Sequence, residues 1–390
     1  MRRMMREDHL DAIVLSRNVN VFYATGSRFV FIDRDGPNAL TPQSCAVVTH
    51  ETDVYCQRFG PFDTDEVAQH TTWSPHLELY TDELELVLIL KDFGVGHGAR
   101  VGIEWGPKLC TGINPIKYAA LRRRVARELG AEFADSTTTI CKVMAVKSAV
   151  EIERMKVSVA AASRATSRIL KVVELGMKEV DIARTLRRFM LEEGADGASN
   201  AQVMGLDASG RRFGSCTALD RPVEPGWVAF DVGASYRRYH SDVNRGIFLG
   251  REPTPAERKA FACRVGANEV LDRTIKPGVS LDAALAAMKS YIEAQGGLVL
   301  EHDGLITGGH SLGLESYQRP NFAPSSSQPE FQNTNGEVVF EPGMMFTYEM
   351  PMRMPGSTTV FNVEDDVVVT DTGVENMSAM LDRDLHVKLS

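Results

Sequence analysis

Four acidic residues and one histidine stand out in this chain of 390 residues, because their types and surroundings could do chemistry. They are Asp231, Asp242, His310, Glu349 and Glu364. Three of the carboxylates end or precede apolar runs (VAFD, MMFTYE and VVVT), where a lone charge is costly unless a positive partner neutralises it. Mn²⁺, Co²⁺, Fe²⁺ and Zn²⁺ all accept carboxylate and imidazole ligands. The set therefore predicts a site for two divalent metal ions.

Taken singly, each of these residues has an ordinary structural explanation, and only their order along the chain favours a common site. An aspartate at a strand end is often a cap or a surface residue, and a histidine after a glycine pair is often a loop residue. Asp231 and Asp242, however, lie on two segments joined by the stretch Ala234–Tyr239. A hairpin turn there would bring both carboxylates side by side.

The elements that must position these residues occupy the second part of the chain. A capping-box pattern, Ser148 with Glu151, opens a helix that runs to about residue 175. Further helices are predicted at 179–193, 255–275 and 281–296, and strands at 227–233, 244–250, 337–350 and 361–370. Because the strands and helices do not alternate strictly, they predict an α+β domain over residues 146–390.

The first part of the chain has a different pattern. Strands are predicted at 10–16, 44–50, 52–56 and 99–105, and helices at 83–94 and 115–129. This alternation predicts a smaller α/β domain over residues 1–145, in line with the two domains that the chain length suggests. A loop at 323–335, rich in Ser, Pro, Gln and Asn, is predicted to be mobile.

The net charge and the cysteines indicate which binding partners and which cellular compartment to expect. The net charge of −9 argues against a nucleic-acid partner, because phosphate binding needs a basic face. No apolar run is long enough to predict a membrane span. The six cysteines are scattered without a CxxC pair, which predicts free thiols in a reducing cytoplasm. Cys216 lies near the candidate site in sequence, but no paired base is evident for it as a nucleophile.

The motifs around the five residues resemble those of a known family. The two aspartates are followed by HSLGL, then by EPGM and TYE, and then by VEDDVVVT. This order is similar to that of the metallopeptidase family of aminopeptidase P, prolidase and methionine aminopeptidase, which also contains creatinase. The segments LDAIVLSRNVNVFYATG and VKSAVEIERMK resemble the family's N-terminal domain and its linker to the catalytic domain. The resemblance covers nearly the whole chain.

The resemblance implies a pita-bread catalytic domain behind a creatinase/prolidase-like N-terminal domain, a homodimer, and two metal ions held by the five residues above. The expected reaction is hydrolysis of a C–N bond, in an Xaa-Pro peptide, through a hydroxide that bridges the metals. Glu349 is expected to handle the proton, and Tyr317 and His310 complete the expected catalytic set.

The chain departs from the family's pattern in groups that usually contact the substrate. Family histidines are replaced near Gly214, near Ile306 and at Tyr317, and the arginine that usually stands just before the last glutamate is Asn362. Tyr317 could donate a hydrogen bond in place of an imidazole, although a buried structural tyrosine is an equal alternative.

Three other residues are candidate substrate contacts. Arg319 could clamp a substrate carboxylate bidentately, with a solvated surface arginine as the ordinary alternative. Tyr239 and His240 stand just before Asp242 and could contact the substrate or support the metal ligands. Intact ligands with altered substrate groups keep two hydrolase substrates open: a short peptide, or a small non-peptide metabolite of the kind that creatinase or ectoine hydrolase cleaves.

Two functions of other classes are alternatives. A lyase on the same scaffold, like the dimethylsulfoniopropionate lyases, would need an extra aspartate where this chain has Gly233, and an acidic base where it offers Glu315 and Ser316. A non-catalytic binding module would be expected to lose metal ligands, and here all five positions are filled. The favoured prediction is the metal-dependent hydrolase.

Overall fold

The chain folds into two compact units, Met1–Val143 and Met144–Ser390. A computed structural model describes residues 1–27, 44–58, 72–106, 111–205, 218–301 and 304–389. Gly214 and Cys216 lie outside the described residues. No helix in the described part of the chain is long and apolar enough to cross a membrane.

The first unit is a six-stranded mixed sheet with short helices. Its strands, in the order β4-β3-β2-β1-β5-β6, are β1 Ala12–Leu15, β2 Cys45–Thr49, β3 Asp53–Arg58, β4 His76–Tyr80, β5 Arg100–Ile103 and β6 Glu132–Asp135. Its helices are α1 Arg2–Glu7, α2 Asn18–Thr25, α3 Leu86–Asp92, α4 Pro115–Arg124 and α5 Thr137–Ala145, the last of which crosses the boundary between the units. The predicted hairpin is confirmed, since β2 and β3 pair antiparallel.

Four long helices of the second unit begin at side-chain caps or end near glycines, as the sequence predicts. They are α6 Ala149–Val172, α7 Glu179–Glu192, α8 Pro255–Thr274 and α9 Leu281–Ala294. Ser148 and Glu151 form the predicted capping box of α6, and Thr254 and Glu257 form a second one at α8. Each such cap satisfies backbone N–H groups that the first helical turn leaves open.

The strands of the second unit form two larger sheets and one small one. The hairpin sheet has the order β18-β10-β8-β7 with β9 beside β8, and the histidine sheet has the order β13-β12-β14-β16-β17. The strands are β7 Gly197–Gly205, β8 Gly226–Tyr236, β9 Tyr239–His240, β10 Val243–Leu249, β11 Leu298–Val299, β12 Gly309–Ser311, β13 Gln318–Phe322, β14 Met345–Thr347, β15 Met352–Arg353, β16 Asp366–Val369, β17 Val374–Asn376 and β18 His386–Lys388. Helices α6 and α7 share one apolar core with the hairpin sheet, whereas α8 and α9 share another with the histidine sheet.

The apolar segment at 21–26 belongs to helix α2, which ends at Gly26 with a φ of 68°. One predicted strand differs from what the structure has. The predicted strand 337–350 is a strand only at Met345–Thr347, because the Pro342-Gly343 pair interrupts it. The loop predicted at 323–335 contains short 3₁₀ turns and a buried Gln328, whose side chain donates to the backbone oxygens of Asn321 and Ala323.

Candidate metal centre

The hairpin of β8 and β10 carries both aspartates on one face. Asp231 lies directly opposite Asn244, and Val232 lies opposite Val243, so Asp242 falls on the Asp231 face one diagonal step away. The turn is tighter than predicted, because β8 and β9 continue the pairing to Tyr236 and Tyr239. Only two residues remain in the turn, and both have positive φ angles, which the twist of a two-residue hairpin requires.

His310 lies on β12, between β13 and β14 in the histidine sheet. Its backbone N–H donates to Thr347 Oγ1 (3.2 Å), which ties β12 to β14. Gly309 has a φ of 135°, and a Cβ there would come within 2.3 Å of the Thr347 oxygen. The glycine before the histidine is therefore required for the two strands to approach this closely.

Glu349 and Glu364 lie opposite each other where β14 and β16 extend beyond their ladder. Thr347 pairs with Asp366, and Tyr348 N–H donates to Asp365 O (2.8 Å), so the same register sets Glu349 across from Glu364. Glu364 also forms a bridge with Asn244 of the hairpin through two backbone hydrogen bonds of 3.1 and 3.3 Å. This bridge joins the two sheets at the carboxylates.

The structure brings all five predicted residues together. Ligand atoms of Asp242, His310 and Glu364 lie within 4.8 Å of one another, and the same limit holds for Asp231, Glu349 and Glu364. His310 Nε2 is 3.7 Å from Asp242 Oδ2 and 3.6 Å from Glu349 Oε2. Glu364 belongs to both groups, so the two groups share one carboxylate.

The ionisation of these groups reflects how strongly they are enclosed. Burial first, and then mutual repulsion, raises the pKa of Asp242 and of Glu364 well above its usual range. Burial and the charge of Asp231 raise the pKa of Glu349 to about 7. Burial lowers the pKa of His310 to about 4, so its imidazole is neutral at neutral pH, which is the form that ligates a metal. Four carboxylates and one neutral imidazole are thus enclosed together.

Several buried polar atoms in the cluster have no hydrogen-bond partner among the described residues. They include Asp242 Oδ1, His310 Nε2 and Glu364 Oε1. Within the described ranges, no lysine or arginine forms an ion pair with any of the four carboxylates. Unpaired buried acceptors beside an unpaired imidazole nitrogen fit divalent cations, because a metal would satisfy all of them at once.

Three residues predicted to contact the substrate, Tyr317, Tyr239 and His240, differ in their surroundings. The Tyr317 ring is 67% exposed and lies over the His310 ring, with 3.8 Å between their centroids. Tyr239 is buried, and its hydroxyl donates to Glu151 Oε1 (3.3 Å). The backbone N–H of His240 donates to Gly313 O (2.8 Å) in the segment that follows His310.

Sequence reasoning missed two polar residues that contact the aspartates. Asn200 on β7 donates a short hydrogen bond to Asp231 Oδ1. Asp366 accepts from the backbone N–H of Asp242 (3.0 Å), although it stands 124 residues away. The only signal in the sequence was that Asp366 interrupts an apolar run, which is the signal that singled out the ligands themselves.

This chain is similar to known proteins in its family models, in its sequence and in its fold. Residues 153–371 match the model of metallopeptidase family M24, and residues 1–143 match that of the creatinase/prolidase N-terminal domain. An uncharacterized peptidase, YqhT, of Bacillus subtilis is 26% identical over 381 residues, which is 96% of this chain and 95% of that protein. An Xaa-Pro dipeptidase of Pyrococcus furiosus is 22% identical and is covered to 95% by a match with 96% of this chain.

Solved structures share the fold over the whole length. The Xaa-Pro dipeptidase from Bacillus anthracis superimposes with a TM-score of 0.76 at 22% identity, covering 99% of this chain and 98% of that one. Prolidase from Thermococcus sibiricus gives a TM-score of 0.77 at 18% identity, with 99% and 97% covered. These likenesses confirm the predicted fold, a pita-bread catalytic domain with a smaller N-terminal domain.

Proposed function

Because the chain belongs to metallopeptidase family M24 and is a metal-dependent hydrolase, we propose that it binds two divalent ions and cleaves the C–N bond of an Xaa-Pro dipeptide. The observation that carries the proposal is the convergence of Asp231, Asp242, His310, Glu349 and Glu364, with their buried polar atoms unpaired. In this proposal Asp242 and His310 would hold one ion, Asp231 and Glu349 would hold the other, and Glu364 would contribute to both.

When bound, the two ions would supply an activated water as nucleophile and would polarise the carbonyl of the scissile bond. Glu349 is the proposed carrier of the proton from that water to the departing nitrogen. Its side chain is 31% exposed, whereas Glu364 is 1% exposed, so Glu349 is the glutamate that a substrate can reach. A carboxylate that accepts and then returns one proton serves both halves of the reaction.

Tyr317 is the proposed donor to the developing negative charge on the carbonyl oxygen. Its ring lies on that of His310, although the residue as a whole is 67% exposed. Partial desolvation and four nearby carboxylates raise the pKa of Tyr317, so that it keeps its proton at neutral pH. A positioned donor of this kind stabilises an oxyanion.

Arg319 is the proposed partner of the substrate's carboxylate. Arg319 follows Gln318, which lies opposite Ser311 across β12 and β13, so Arg319 is on the strand next to that of His310. Arg319 has no hydrogen-bond or ion-pair partner among the described residues. A half-buried arginine on this neighbouring strand supports recognition of a substrate with a free C-terminal carboxylate.

A panel of Xaa-Pro dipeptides with Mn²⁺ tests the proposed activity. Dipeptides should be hydrolysed, and their C-terminal amides should have a KM that is higher by about 10–100-fold, the equivalent of one charge-assisted contact. Arg319→Gln should raise KM for the free acid and leave the amide unchanged. Absence of turnover for every peptide would remove the peptidase proposal.

A small-metabolite hydrolase is the second candidate. Ile306 and Tyr317 stand where the family's histidines are expected, so the groups around the metals differ from the peptidase pattern. Turnover of creatine-like or acylated amino-acid amides, with peptides inert, would favour this candidate.

We also propose that the creatinase/prolidase-like N-terminal domain covers residues 1–145 and the catalytic domain residues 146–390. For Tyr239 and His240 we keep the proposed substrate role, tested by Tyr239→Phe and His240→Gln in the same dipeptide assay. The predicted homodimer is tested by light scattering after size exclusion, and the cytoplasmic location by fractionation of cells.

A further inference from the structure

The guanidinium of Arg264 lies behind the candidate metal centre and is wholly enclosed by protein. Arg264 is on α8 and is 0% exposed. Removing such a charge from water costs several kcal/mol, so the site must supply compensating acceptors and negative charges. Burial lowers the pKa of Arg264 to about 10, against the opposing effects of Asp365 and Glu364, so it carries its charge at neutral pH.

One set of contacts joins Arg264 to the segment that carries Glu349. Arg264 Nη2 donates to the backbone oxygen of Tyr348 (2.7 Å), the residue directly before Glu349. The guanidinium therefore fixes the backbone directly before this glutamate.

A second set of contacts joins Arg264 to the segment that carries Glu364. Its Nη2 also donates to Asn362 Oδ1 (3.4 Å), and Asn362 Nδ2 donates to Glu364 Oε2 (3.4 Å). Its Nη1 donates to Asn268 Oδ1, and Asn268 Nδ2 donates to the backbone oxygen of Val363 (2.9 Å). The bonds thus reach Glu364 from the side chain and from the backbone.

Among the described residues, Arg264 is the one cationic side chain that donates hydrogen bonds to both Tyr348 and Asn362, on the segments that carry Glu349 and Glu364. Arg245 donates to Glu364 O (2.7 Å) and Asp365 Oδ1 (2.6 Å), but it has no bond to the Tyr348 segment. A planar guanidinium presents several donors in a fixed fork, which suits the joining of two segments that a lysine could contact only one at a time.

We propose that Arg264 is a positioning residue that clamps the Glu349 and Glu364 segments together and so preorganises their carboxylates for metal binding. The inference rests on the proposed metal site. It assigns to helix α8 a residue that orients two of the proposed ligands. Arg264 lies behind the ligands, so its loss should weaken metal binding and leave KM for the substrate unchanged at saturating metal.

Calorimetric titration of Mn²⁺ into the metal-free full-length protein tests the clamp. Arg264→Gln should weaken at least one Mn²⁺ site by about 10–100-fold, as loss of a group that orients a ligand does. Arg264→Lys should fall between this variant and the wild type. Arg258→Gln is the matched control on the same helix, because Arg258 is 51% exposed and pairs with Glu252, and its Mn²⁺ affinity should equal the wild-type value.

A second-site variant keeps the test decisive if Arg264→Gln does not fold. Arg264→Gln with Asn362→Arg returns a guanidinium to the same region from the Glu364 side, and it should restore folding and most of the Mn²⁺ affinity. Wild-type affinity in folded Arg264→Gln or Arg264→Lys, or a folded double variant without recovery, would overturn the clamp. If the wild type itself binds no Mn²⁺, the proposed metal site fails instead.

Discussion

Asp365→Ala is expected to destabilise the protein by about 3–5 kcal/mol, although Asp365 is not a proposed metal ligand. Its carboxylate accepts hydrogen bonds from Arg245 Nη2 (2.6 Å), Arg383 Nε (2.7 Å), Asn268 Nδ2 (2.8 Å) and Ser378 Oγ (3.0 Å). Burial would raise the pKa of Asp365, but the two arginines overcome it and hold that pKa below its usual range. The group is therefore a carboxylate at the centre of a buried ionic network.

The magnitude follows from what the substitution leaves behind. Arg245 is 1% exposed, so removing Asp365 strands a guanidinium that water cannot reach. Breaking one side of such a pair costs about 3–5 kcal/mol, whereas an exposed pair contributes about 0–1 kcal/mol. For a domain of roughly 150–250 residues, 1 kcal/mol shifts Tm by about 2–4 °C, so Asp365→Ala should lower Tm by roughly 10 °C.

Urea and thermal unfolding of metal-free protein, followed by circular dichroism, measure this loss. Asp365→Asn keeps the shape and some of the hydrogen bonds, so it should lie between Asp365→Ala and the wild type. Glu252→Ala is the matched control, because Glu252 pairs with Arg258 at 2.5 Å but on the exposed surface. If Asp365→Ala cost no more than Glu252→Ala, the reasoning from burial would be refuted.

Three further outcomes are expected. Despite the opposing effect of burial, hydrogen bonds from Arg251 and the helix cap lower the pKa of Glu257 to about 2. This stabilisation is complete above its ordinary pKa of 4.5 and is lost as the pH falls toward 2, so urea midpoints of Glu257→Gln and wild type should converge in acid. Tyr317→Phe should lower kcat by about 10²–10³-fold with little change in Mn²⁺ affinity, and an unchanged kcat would contradict the oxyanion role. Gly309→Ala should lower both Tm and Mn²⁺ affinity, whereas Gly197→Ala, where a Cβ meets nothing within 4 Å, should change neither.

Most of the candidate ligand set was predictable because three of its four carboxylates interrupt an apolar pattern. Asp231, Glu349 and Glu364 stand at the ends of buried runs, where a charge has no purely structural benefit, and the hairpin rule placed Asp242 beside Asp231. The start of helix α6 could also be predicted from neighbouring residues, because Ser148 and Glu151 form its capping box within four positions.

The rest could not be predicted, because it depends on contacts between distant segments. One such contact is the bridge between Asn244 and Glu364, and another is the hydrogen bond from Arg264 to Tyr348. Each joins residues that are more than 80 positions apart, and no periodicity in the sequence predicts it. The prediction of a continuous strand over 337–350 was wrong for a local reason. Pro342 has no N–H to donate to a neighbouring strand, and Gly343 has a φ of 89°.

The number of metal ions per chain tests the five-residue site most directly. Metal-free protein would be dialysed against excess Mn²⁺ and analysed by mass spectrometry for bound metal. Wild type should hold two ions per chain, and Glu364→Gln should hold fewer than one, because Glu364 belongs to both ligand groups. A wild-type chain that takes up no manganese, or a Glu364→Gln variant that still holds two ions, would contradict the account.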